Sequence, residues 1–214
     1  MDRHRVILVA AIVLAIGVLW LRGAFVAFTF GGPATLPAAP AAGLQTAIFA
    51  GGCFWCVEAD FDAVPGVVAT TSGYTGGHLS FPTYAEVSAG GTGNAEAVEV
   101  LFDPAVVTYE ALLDHFWHNV DLFAADRQFC DVGDQYRPEI FVDGAAQRAA
   151  AEWSKTLLQK RFSEPIVVAV SDAEPFYPAE AYHQNYHTRH AVQYRFYRWA
   201  CGRDARLAEI WGDS

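Results

Sequence analysis

Thr46-Ala47-Ile48-Phe49-Ala50-Gly51-Gly52-Cys53-Phe54-Trp55-Cys56-Val57-Glu58-Ala59-Asp60-Phe61 is the stretch from which the rest of the chain can be read. Residues 46–50 are short and apolar and read as a strand. Gly51-Gly52 makes a tight turn. Residues 53–64 mix apolar and acidic side chains and are closed by Pro65-Gly66, which predicts a helix. A strand, a glycine turn and a helix place Cys53 at a helix N-terminus. Unpaired N–H groups and the macrodipole there favour an anion, so the Cys53 pKa is expected to fall. Cys56 lies three residues on, one turn away on the same side, within reach of an oxidised Cys53. The pair has the logic of a nucleophile or redox centre. Two other readings stand beside it: two buried inert thiols, and a zinc site completed by His183, His187 and His190 at i, i+4 and i+7 of one helix face.

Outward from this stretch, strands are predicted over 67–74, 95–102, 139–142 and 165–171. Thr108 is expected to cap a helix with Leu112, Leu113, Phe116, Trp117 and Val120 on one face. Residues 145–162 form an amphipathic helix, 122–135 a long polar loop, and the aromatic tail a short helix after Gly202. The alternation implies an α+β sandwich: a mixed central sheet flanked by helices, a two-layer roll related to ferredoxin-like folds.

The 53% hydrophobic and 18% charged composition of the 214 residues excludes a disordered chain. The net charge is −10, and no Lys or Arg occurs between Gly23 and Asp126. Phosphate binding needs a basic face, so nucleic acid is not an expected partner. Ahead of the folded part, Arg3 and Arg5 precede an apolar run over 6–21. That is a signal-type segment, and without a clean cleavage site it reads as an uncleaved N-terminal hydrophobic helix. Residues 1–22 are assigned to this signal or anchor, 23–43 to a Pro/Ala/Gly-rich linker, and 44–214 to the catalytic domain. The expected location is extracytoplasmic, membrane-attached through the segment or released after cleavage.

Glu96 shares its strand parity with Val98, Val100 and Phe102. On that face its carboxyl is desolvated and kept protonated near neutrality, a proton donor beside a thiolate, unless it reaches solvent at the strand end. Glu99 has the opposite parity and is expected to be solvated. Tyr84, Asp131 and Tyr136 are weaker signals, because phenols usually pack with a wet tip.

Gly52-Cys53-Phe54-Trp55, Gly73-Tyr74-Thr75-Gly76-Gly77, Pro82-Thr83-Tyr84, Gly93-Asn94-Ala95-Glu96-Ala97-Val98 and Asp131-Val132-Gly133-Asp134-Gln135-Tyr136-Arg137 occur in this order. Together they resemble the peptide methionine sulfoxide reductases of the A class, from about residue 46 to the end. The resemblance implies Cys53 as the nucleophile on the sulfoxide sulfur and Glu96 as the acid protonating its oxygen. It implies Tyr84 and Tyr136 as hydroxyls bonding that oxygen, Asp131 as organiser of the polar side, and Phe54 and Trp55 as the wall of a methyl slot. Asn94 stands where the family often has histidine. The tail around Cys201 lacks a glycine-rich recycling segment, so the chain is similar to the branch in which the Cys-x-x-Cys partner, here Cys56, is the resolving thiol. Cys130 and Cys201 are its rivals, or else buried structural thiols.

The implied reaction reduces the S epimer of methionine sulfoxide, free or in proteins, and leaves a sulfenic acid that becomes a disulfide. A thioredoxin-like dithiol or a membrane electron carrier is the expected reductant, since export places the thiols in an oxidising compartment. No cofactor or metal is required, and a monomer is expected. The competing reading is a thioredoxin-like disulfide oxidoreductase using Cys53 and Cys56 directly, which would have no use for Glu96.

Overall fold

The structure, a computed structural model, describes residues 43–212. The N-terminal helix and most of the linker read from the sequence lie outside the described residues. Among the described residues no helix is long and apolar enough to cross a membrane.

Strand β1 (Gln45–Gly51) runs into helix α1 (Phe54–Asp62) through Gly52 and Cys53. Then follow β2 (Val67–Thr75), α2 (Tyr84–Ala89), β3 (Ala95–Phe102) and α3 (Tyr109–His118). The hairpin β4 (Arg127–Gln128) and β5 (Asp131–Val132) leads to β6 (Pro138–Val142) and α4 (Gly144–Gln159). β7 (Ala169–Asp172), β8 (Tyr177–Pro178), α5 (Tyr186–Arg189), α6 (Ala191–Ala200) and α7 (Arg203–Trp211) complete the order. The six-stranded sheet has the order β7-β6-β1-β3-β2-β8, with only β6 and β7 parallel. It is the mixed central sheet with flanking helices that the pattern predicts.

One face of the sheet carries the main core. Phe49 of β1 stacks on Phe61 of α1 at 4.8 Å and on Phe116 of α3 at 5.1 Å. Val98, Val100 and Phe102 of β3 are fully buried with them, as are Leu112 and Leu113 of α3. Each such side chain contributes about 1.5–3 kcal/mol on burial. Thr108 caps α3 by accepting a hydrogen bond from the Ala111 N–H at 3.2 Å.

Several expectations are corrected. The predicted loop 122–135 contains the β4–β5 hairpin. The strand expected over 165–171 begins only at Ala169, because Ile166 and Val168 are buried without pairing in the sheet. The helix expected to reach 162 ends at Gln159. The tail holds three helices rather than one, and His183, His187 and His190 do not share a helix face: His183 is in a turn, His187 in α5, and His190 precedes α6. Helix α2 was not expected, although Thr83 and Glu86 form a full capping box.

The turn into α1 admits no side chain. Gly52 has φ 85°, and a Cβ there would lie 2.4 Å from Cβ of Gln128. Gln128 cannot retreat, since it accepts from the Asp121 N–H at 2.8 Å and donates to the Asp121 carbonyl at 2.9 Å. Gly52→Ala is expected to cost about 3 kcal/mol, from strain and overpacking together. The check is a lower urea midpoint at unchanged slope.

Candidate active site

The turn delivers Cys53 as the N-cap of α1, with Cys56 one turn along. Both are free thiols, 7% and 2% exposed. Glu96 of β3 is 2% exposed and sits opposite Tyr74 of β2 in the sheet. Its Oε2 accepts a hydrogen bond from the Phe54 N–H at 3.0 Å. That bond joins the acid to the residue next to the nucleophile. The helix terminus does not lower the Cys53 pKa as expected, because burial outweighs it.

Burial pushes the Cys53 thiol up, and Cys56 and Glu96 push it in the same direction. The nearby Tyr197 hydroxyl opposes them. The Cys56 thiol is lowered, first because it accepts the hydrogen bond of Cys53; burial opposes this and the nearby Arg203 reinforces it. Glu96 is pushed up to about 8, mainly by burial, with the Phe54 N–H opposing and Asp131 and Cys56 adding. The carboxyl is therefore neutral at pH 7, as its strand parity predicts. Glu99, expected to be solvated, is half-buried, and burial raises its pKa as well.

Asp131 and Tyr136 come from one stretch of the chain, and Tyr84 from the start of α2. Burial raises all three, with the hydrogen bond from Tyr197 and the charge of Arg203 opposing it at Asp131. Glu96, Asp131 and Cys53 add to the upward shift of both phenols. Tyr84 is fixed through its backbone N–H, which donates to Glu180 Oε1 at 2.8 Å, while Glu180 Oε2 accepts from the Tyr74 hydroxyl at 3.0 Å.

The aromatic wall is built around His183. Trp55 Nε1–H donates to His183 Nδ1 at 3.1 Å, which makes that nitrogen an acceptor. Burial lowers the His183 pKa, so the ring is neutral. Phe54 and Tyr84 lie against it, with centroids at 4.9 and 4.5 Å. One face of Trp55 is covered by Tyr186, stacked at 3.7 Å and 8°, and Tyr197 stands edge-on at 6.1 Å. Tyr186 is held in turn by Glu58, fully buried on α1, whose Oε1 accepts from the Asn185 N–H at 3.0 Å.

Cys130 and Cys201, expected as rival resolving thiols or as buried structural thiols, are bonded to each other. Cys130 is exposed. The bridge ties the hairpin carrying Asp131 to the end of α6, which carries Tyr197. The Tyr197 hydroxyl donates to Asp131 Oδ2, and the Asp131 carboxylate lies 3.8 Å from each sulfur. With both sulfurs covalently paired, this cluster offers a metal one carboxylate and no thiolate. Arg203 is 2% exposed and donates to the carbonyls of Asn119 at 2.6 Å and Gly51 at 3.3 Å, so it braces the base of the nucleophile turn.

Tyr197, Glu180 and Arg203 carry no local signal in the sequence, and His183 stands there only as a candidate zinc ligand. The aromatic tail was visible, but nothing local says which of its rings returns to Cys53. The arrangement brings a buried thiol and a buried neutral carboxylic acid together, with phenols and an indole beside them. It can attack an electrophilic atom, protonate an oxygen and hold a small apolar group.

A family model described as peptide methionine sulfoxide reductase matches residues 45–214. The peptide methionine sulfoxide reductase MsrA 2 of Caulobacter vibrioides is 48% identical over 180 residues, covering 84% of this chain and 91% of that protein. Among solved structures, reduced Mxr1 of Saccharomyces cerevisiae superposes with a TM-score of 0.68 at 28% identity, covering 73% of this chain and 91% of that one. Methionine sulfoxide reductase A of Corynebacterium diphtheriae gives a TM-score of 0.64 at 31% identity, over 71% of this chain and 77% of that one.

Proposed function

The chain belongs to the peptide methionine sulfoxide reductase family, and from that premise we propose that Cys53, Glu96 and Cys56 carry its thiol-dependent reduction of methionine sulfoxide. The observation that carries the reading is the Phe54 N–H···Glu96 bond, which holds a buried neutral acid beside the nucleophile. A sulfoxide has an electrophilic sulfur, a basic oxygen and an apolar methyl group. Glu96 gives its proton to the oxygen, with Tyr84 and Tyr136 bonding that oxygen. The sulfur then becomes electrophilic enough for Cys53 to attack. As its charge builds, Glu96 favours the Cys53 proton, because two negative charges do not coexist cheaply in a buried pocket. Trp55 and Phe54 wall the methyl slot, and Asp131, held by Tyr197, organises the polar side.

The protonated oxygen then passes as hydroxyl to the Cys53 sulfur while the substrate S–O bond and the transient sulfur–sulfur bond break, leaving methionine and a sulfenic acid on Cys53. Cys56 attacks that sulfur, water leaves, and a Cys53–Cys56 disulfide forms. Cys53 has non-helical backbone angles, φ −49° and ψ 117°, which eases bridging to a neighbour one turn away. An external dithiol of thioredoxin type then reduces the disulfide. Mxr1 has been solved in complex with Trx2, which supports that choice of reductant. The apolar run over 6–21 behind Arg3 and Arg5 supports an extracytoplasmic domain attached to a membrane. A membrane electron carrier or an exported thioredoxin-like domain would supply its electrons there.

The test uses the full chain, a racemic methionine sulfoxide peptide and dithiothreitol, with the epimers resolved by chromatography. The S epimer alone is expected to disappear. Consumption of the R epimer, or of neither, overturns the reading.

A further inference from the structure

Phe81 lies in the left-handed region, with φ 51°. A side chain there crowds its own backbone, and glycine or asparagine is usual. Its ring is also 54% exposed. Strain and exposure both work against stability, and together they point to a use outside the fold. The ring leans edge-on against Tyr177 at 4.9 Å, and Tyr177 pairs with Tyr74 across β2 and β8. Phe81 stands three residues before Tyr84, on the segment that Glu180 anchors.

A second exposed aromatic belongs to the opposite segment. Tyr182 is 53% exposed and lies 4.1 Å from the ring of His183. Glu180 ties the two segments together, bonding the Tyr84 N–H on one side and belonging to the 177–183 stretch on the other. Phe81 and Tyr182 therefore stand exposed on the two segments that carry Tyr84 and His183, whose rings lie 4.5 Å apart.

We propose that Phe81 and Tyr182 form an aromatic rim that grips the residues on either side of an oxidised methionine in a polypeptide, favouring apolar and aromatic neighbours. The proposal rests on the reading of the site given above. Free methionine sulfoxide fills the pocket and has nothing to lay on the rim. A polypeptide must cross the rim to insert its side chain, and its flanking residues then bury exposed ring surface.

The test compares three substrates under saturating dithiothreitol: free methionine sulfoxide, a blocked peptide with Phe and Leu flanking the sulfoxide, and one with Ser and Gly. The proteins are the full chain and its Phe81→Asn, Tyr182→Ser and double variants. Asparagine tolerates the left-handed region, so Phe81→Asn is expected to melt at or above the wild-type temperature. For the double variant, kcat/KM on the Phe/Leu peptide is expected to fall about tenfold, through KM. Its kcat/KM on free methionine sulfoxide is expected to stay within about twofold. An equal fall on all three substrates, or no fall on the Phe/Leu peptide, overturns the rim while leaving the site reading intact. A wild type inactive on all three overturns the site reading and the rim with it.

Discussion

Glu96→Gln is expected to lower kcat/KM for methionine sulfoxide by about 10²–10⁴-fold, the range of a lost general acid. Glutamine keeps the shape, and its side-chain oxygen still accepts from the Phe54 N–H. Only the proton is lost, so a large effect reports on chemistry and not on folding. The wild-type pH profile gives an independent check. Burial holds the Glu96 carboxyl up to about 8, so the acid carries its proton below that pH and loses it above. Wild-type kcat/KM is expected to fall as pH rises through about 8, and that limb should be absent from the glutamine variant. Stability should follow the same proton. The folded chain holds it where the unfolded chain has released it, between an unfolded value of about 4.3 and about 8. In that window the folded state binds more protons, so wild-type stability falls as pH rises, and Glu96→Gln removes the slope. A variant with near wild-type activity, or a falling limb that survives the substitution, would assign the oxygen's proton to another group, with the phenols of Tyr84 and Tyr136 first in line.

The contrast between Glu96 and Cys53 shows what could be read from local pattern. Glu96 was legible because strand parity is a two-residue rule, and three strongly apolar neighbours of that parity fix the face. Cys53 was legible as a residue type at a helix start, but its titration was not. The pattern shows that a helix terminus offers N–H groups; it does not show that the sulfur is buried, with the carboxyl of a distant strand beside it. The same distance problem hid His183, whose bond to Trp55 spans 128 residues. It hid the partnership of Cys130 and Cys201, which are 71 apart. Tyr197 had no local signature, since an aromatic every few residues in a tail reads as packing. Helix α2 failed for a different reason: Thr83 and Glu86 stood at capping-box spacing, but the segment is too short and too glycine-bounded to show helical periodicity. The main strands and helices α1, α3 and α4 were recoverable because the core is made by regular apolar spacing. The β4–β5 hairpin was not, because two-residue strands have no period.

Cys53→Ser is expected to abolish turnover, by at least about 10⁴-fold, because a serine hydroxyl at neutral pH is a far poorer nucleophile than a thiol and cannot hold the sulfenic oxidation state. Cys56→Ser should behave differently, and the difference separates the two thiols. Attack on the sulfoxide does not need Cys56, so this variant is expected to release one methionine per chain when reduced enzyme meets excess substrate. What it loses is the internal disulfide. Steady-state turnover with a thioredoxin-type protein is then expected to fall steeply, since the Cys53–Cys56 disulfide that a protein dithiol reduces by exchange no longer forms. Small dithiothreitol can still enter and should restore most of the rate. Counting methionine released per chain, first without reductant and then with each one, tests both claims. Were Cys56→Ser to recycle with the protein dithiol as fast as wild type, Cys56 would not be the resolving thiol. That role would pass to a thiol of the Cys130–Cys201 pair, freed once an external dithiol has reduced that bridge. Its Cys130 is exposed, and the bridge lies against Asp131, which accepts from the Tyr197 hydroxyl near the Cys53 sulfur.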